Sequence, residues 1–210
     1  MMELVRRHTG QVVILLLAGA ALVGCEAVFT SNLFENFARN PENMSEEQLV
    51  AYGNDAIASG DVEKMEEAFN ALREKTEGSE LDADTRDTLV ELGLGSTDVV
   101  GFIGSNLDDP ESIDLSEFSD DKGRIARETA EIMNDAEDGA FSADRYAYAA
   151  AGVVLAAGED ADGDFDDIST SDDADLAEEL VNKSLAAYEA EGKEDDEVYK
   201  QLSSLKDDYL

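Results

Sequence analysis

The chain has 210 residues, of which 43% are hydrophobic, and its 51 Asp plus Glu against 15 Lys plus Arg give a formal net charge of −36. That length can bury a real core in one domain or two small ones, and the apolar fraction is too high for wholesale disorder. A surface this acidic repels phosphate backbones and anionic membrane surfaces alike, which excludes a basic nucleic-acid groove.

The single histidine and single cysteine, His8 and Cys25, both lie close to the N-terminus. From Glu26 onward there is neither. That stretch therefore holds no zinc site with His or Cys ligands, no Ser–His–Asp or Cys–His nucleophile and no disulfide.

Taken in chain order, the first element is an export signal. Arg6 and Arg7 form a basic start, and Val12 to Val23 is an unbroken run of apolar and small residues. Such grammar describes a secretory signal peptide, and the run is short of the ~20 apolar residues a transmembrane helix needs. The run closes on Leu22-Val23-Gly24-Cys25, a tetrapeptide that resembles the lipoprotein signals of bacteria. The resemblance implies cleavage before Cys25 and a diacylglycerol on its thiol, with a membrane anchor as the consequence. Two or more acyl chains make such anchoring stable, at ~0.8 kcal/mol per buried CH₂. It further implies residence in the outer membrane, facing the periplasm, because Glu26 stands where Asp would favour inner-membrane retention. The expected organisation is a signal peptide over 1–24, a lipidated cysteine and tether over 25–44, and a helical domain over 45–210.

The tether carries Phe29, Leu33 and Phe37 at four-residue spacing before Asn40-Pro41 breaks the chain. Ser45 and Gln48 make a capping box that opens a helix through about Ser59. Gly60-Asp61 closes that helix, and Asp61 caps the next one, Val62 to about Thr76, where Met65, Phe69 and Leu72 share one helical face. Further helices are expected near 83–93, 97–107, 121–137, 143–158, 173–191 and 195–208. The only strand-like patch is Val99-Val100 beside Phe102-Ile103. The segment from Tyr146 to Ala157 is apolar nearly all round, as the central helix of a core should be. The expected fold is all-α, with antiparallel helix hairpins stacked into a short solenoid or compact bundle, since one hairpin alone cannot bury its own apolar face.

The pair 46–76 resembles a tetratricopeptide repeat through Gly53 in its first helix, Gly60-Asp61 at the turn, and Phe69 and Leu72 in its second helix. In that family small residues let neighbouring helices approach closely. Here Met65 stands at the small position of the second helix, Ala56 replaces an aromatic, and the closing proline is missing. Gly158 and Gly192 are separated by one such period of 34 residues, but the acidic stretch 159–171 between them is no packed helix, so they do not mark a repeat. Lipoproteins built from tetratricopeptide-like helices that accompany periplasmic solute transporters are the relatives this resemblance implies.

Acidic residues run along the whole chain, which resembles proteins of halophilic or marine organisms: such a surface stays hydrated when salt screens its self-repulsion. The alternative is that the acids collect cations or a basic partner. Asp160, Asp162, Asp164 and Asp166 alternate in one loop, where carboxylates can converge on calcium, which takes 6–8 oxygen ligands. The loop departs from an EF-hand, with Phe165 at the turn position and Ser171 at the twelfth, so a solvated acidic loop is the reading taken. Gly93-Leu94-Gly95 lacks the third glycine and the strand of a phosphate loop. The function expected from these observations is a lipid-anchored envelope scaffold or binding protein, non-catalytic and without a cofactor, with a protein or peptide partner. A calcium-binding envelope protein is the first alternative, and a hydrolase working with carboxylates alone the second.

Overall fold

The structure, a computed structural model, describes residues 41–106, Phe118, 120–160 and 172–209. All regular structure among them is helical: a 3₁₀ turn at Pro41–Asn43, then α1 (Glu46–Ser59), α2 (Val62–Thr76), α3 (Ala83–Thr97), α4 (Val99–Asn106), α5 (Asp120–Asn134), α6 (Ala143–Asp160), α7 (Asp172–Ala190) and α8 (Glu197–Tyr209). The all-α expectation holds, with neighbouring helices packed against one another. The strand-like patch at Val99 belongs to α4; β-branched residues weaken a helix only slightly, and burial overrides that preference. The described chain divides into two compact units, one ending at Asp98 and the other starting at Val99. No shift in composition marks this division.

In the first unit the helix boundaries are set by side-chain caps. Gln48 donates its backbone N–H to Ser45 Oγ at 3.4 Å, and Ser45 N–H returns to Gln48 Oε1 at 3.1 Å. Two of the N–H groups that a helix start leaves without partners are thereby satisfied. At the other end Gly60 takes φ 66°, in the left-handed region. Its N–H donates to Ile57 O and that of Asp61 to Ala56 O, the paired bonds that close a helix on glycine. Asp61 caps α2 by accepting from Lys64 N–H at 3.2 Å, and Asp82 caps α3 by accepting from Thr85 N–H at 2.8 Å.

The three helices share one core. Helix α1 buries Leu49, Gly53 and Ala56, α2 buries Met65, Ala68, Phe69 and Leu72, and α3 buries Leu89, Val90 and Leu92. Helix α2 packs on both α1 and α3, and α1 also reaches α3. Gly53 serves that last contact: a Cβ there would meet Leu92 Cδ1 at 2.9 Å and Thr88 Cγ2 at 3.2 Å. Helix α3 runs to Thr97, beyond the expected 93, with Gly93 and Gly95 inside it. A helical glycine costs about 1 kcal/mol, and burial of Gly93 with the seating of Met65 against Gly95 offsets that cost.

In the second unit α6 packs between α5 and α7, and α8 folds back on α7. Helix α6 is buried on nearly all sides, with Tyr146, Ala147, Ala150, Val153 and Leu155 at 1% exposure or less and Val154 half-buried. Its contact with α5 is a seam of small residues. A Cβ at Gly152 would meet Ala126 Cβ at 3.2 Å, and one at Gly123 would meet Ala156 Cβ at 3.3 Å. These pairs run in opposite directions along the two helices, so the helices are antiparallel and their backbones approach closely. Val99 of α4 closes on the same Gly152, with its Cγ2 3.3 Å from that Cβ position.

Candidate functional site

One polar constellation of the second unit lies where α6 and α8 meet α7. Ser184, fully buried on α7, donates its hydroxyl to Ala143 O at 2.8 Å. One turn further on, Tyr188 donates its phenol to Asp144 Oδ1 at 2.5 Å. Tyr199 of α8 donates to Glu189 Oε1 at 2.9 Å, and its ring meets that of Tyr188 edge-on with centroids 6.4 Å apart. The chain reverses between α7 and α8 at Gly192, φ 67°, and Asp196 Oδ1 accepts Val198 N–H at 2.9 Å to start α8.

A second constellation joins α5 to α7. Arg127 reaches Asp173 with Nε 3.1 Å from both carboxylate oxygens and Nη2 3.0 Å from Oδ2. Asn134 bonds Glu179. Lys183 Nζ sits on the carbonyls of Asn134 at 2.6 Å and Ala136 at 3.0 Å, placing a cation at the negative end of α5. Helix α5 ends at Asn134 rather than at the expected 137, and the carbonyls of Asn134 and Ala136 both face the ammonium.

The electrostatics of the phenols limit their chemistry. Burial, followed by the hydrogen bond to Asp144 and its charge, pushes the Tyr188 phenol well above its ordinary value. In the first unit Tyr52, 2.8 Å from Glu67 Oε2, is raised by burial, then by its bond to Glu67 and that carboxylate's charge. Tyr199 is raised chiefly by its bond to Glu189, and Tyr146 chiefly by burial. A phenol held protonated beside a carboxylate donates a hydrogen bond and does not act as base or nucleophile. These groups join helices. The fully buried Tyr146 hydroxyl, in contrast, has no carboxylate partner and lies beside the backbone N–H groups of Phe141 and Ala140, outside good hydrogen-bond geometry.

Of the residues singled out in the sequence, Cys25 lies outside the described residues, as do Asp162, Asp164 and Asp166. Asp160 is the last residue of α6, two residues beyond the expected helix end at 158. Gly158 is buried within α6, whereas Gly192 ends a turn in the left-handed region; the two play unrelated parts, consistent with their marking no repeat. Among the described residues no group of three or more His, Cys, Asp or Glu side chains is placed to hold a metal, and no helix is long and apolar enough to cross a membrane. The phenol–carboxylate pairs escape sequence reading because Tyr188 and Asp144 are far apart in the chain.

No protein-family model, curated protein or solved structure matches this chain.

Proposed function

We propose that this chain is a lipid-anchored, non-catalytic scaffold or binding protein of the cell envelope, held through acylated Cys25 in the outer membrane and facing the periplasm, where its helices bind a protein or peptide. One observation carries the reading: Leu22-Val23-Gly24-Cys25 ends an apolar run that follows a basic start, the arrangement of an export signal that closes on an acylated cysteine. The packing of α1 on both α2 and α3 supports the binding half of it. Helical-repeat scaffolds bury their cores between consecutive helices in this way, which leaves outer helix faces for partners. The phenol–carboxylate pairs support a non-catalytic role, since each links two helices and is spent on structure.

The test is intact mass of the protein purified from its native membranes, together with crosslinking in those membranes. Loss of residues 1–24 with added acyl mass is the expected result, and a Cys25→Ala variant should leave the membrane fraction. Retention of Met1, or an unmodified Cys25 thiol, would overturn the anchoring. Crosslinking should capture one recurrent protein with the wild type. If no protein is enriched over a sham-crosslinked sample, the binding role falls while the anchoring stands on its own mass measurement.

A further inference from the structure

We draw no further inference here: the strongest candidate, the outward face of α1 where Ala51, Asn54 and Ala58 stand exposed, is a stripe of small residues, and nothing in the structure shows what covers it.

Discussion

Met65 Sδ lies 2.6 Å from the point where a Cβ on Gly95 would stand, with its Cε at 3.3 Å. The bulky residue at the repeat's small position is therefore complemented by an absent side chain on the facing helix. Volume has been exchanged across the α2–α3 contact rather than lost from it.

A double-mutant cycle checks this exchange. Gly95→Ala should destabilise the wild type by about 1 kcal/mol net: overpacking costs about 1–3 kcal/mol, and the better helix propensity of alanine returns up to about 1 kcal/mol. Met65→Ala alone should cost about 2–3 kcal/mol through the cavity it leaves. On the Met65→Ala background, Gly95→Ala should change sign and stabilise. Urea unfolding of the four proteins reads the coupling. If Gly95→Ala has the same effect on both backgrounds, the two residues do not share a site. Gly53→Ala should be costlier than Gly95→Ala. It drives a methyl onto the branched, fully buried Leu92, which yields less readily than the end of a methionine.

Two tyrosine-to-phenylalanine changes should part company. Tyr188→Phe removes a donor from Asp144 and should cost about 1.5–3 kcal/mol, the range for a hydrogen bond to a charged partner. Tyr146→Phe removes a fully buried hydroxyl that faces only the backbone N–H groups of Phe141 and Ala140, outside good hydrogen-bond geometry. It should change stability by less than about 1 kcal/mol in either direction, since the desolvation of that group is at best weakly compensated. Equal losses for the two variants would show that the Tyr188–Asp144 bond contributes little.

The fold was legible in this chain because its helix signals are local. Ser45 with Gln48, Gly60-Asp61 and the Met65–Phe69–Leu72 face each act within one or two helical turns, and each boundary they predict agrees with the structure. The boundaries that shifted depend on partners distant in sequence. Helix α3 continues past Gly93, where Met65 fills the space beside Gly95, and α5 stops at Asn134, where Lys183 of α7 takes the carbonyls of Asn134 and Ala136. Gly53 was legible as a close-approach residue, but its neighbour is α3 rather than its own hairpin partner, which spacing alone does not determine. Both phenol–carboxylate links across α7 were invisible for the same reason. The tetrapeptide ending in Cys25 was legible as a motif, and the alternating aspartates as a pattern. Neither falls where the described residues speak to it, apart from Asp160 at the end of α6.

The phenols also set an alkaline limit. Tyr52 and Tyr188 have folded pKa values raised above the ordinary 10.0, so near pH 10 and above the unfolded chain releases phenolic protons that the folded chain retains. Unfolding then gains free energy with each pH increment. The stabilisation is complete below pH 10 and is lost as pH rises through the folded values. Denaturation midpoints should be flat with respect to these groups from pH 7 to 9 and fall from about pH 10 upward. Tyr52→Phe combined with Tyr188→Phe should flatten that fall, and an unchanged slope in the double variant would assign the alkaline loss to lysines or to general repulsion.

Salt provides the widest test of the acidic surface. A formal charge of −36 implies self-repulsion that screening relieves, and the Debye length contracts from about 10 Å at 0.1 M to about 3 Å at 1 M. Opposed to this are the ion pairs, which salt weakens. Lys64–Asp61, at the start of α2, and Arg124–Glu128, within α5, are partly solvated local pairs, and such pairs contribute about 0.2–1 kcal/mol each. With 51 acidic residues and 15 basic ones, most carboxylates have no basic counterpart, so relief of repulsion should win and the melting midpoint should rise with NaCl. A gain of about 1 kcal/mol registers as roughly 2–8 °C, depending on the size of the melting unit. A flat or falling midpoint removes the halophile-like reading. Calcium at matched ionic strength separates screening from a site. If the Asp160, Asp162, Asp164 and Asp166 stretch only repels itself, Na⁺ and Ca²⁺ should stabilise alike. A specific site would instead give an additional rise at micromolar to millimolar Ca²⁺, abolished by Asp162→Asn with Asp164→Asn. Equal stabilisation is the expected result, because Phe165 occupies the turn position and Ser171 brings no closing carboxylate to complete the 6–8 oxygen ligands calcium requires.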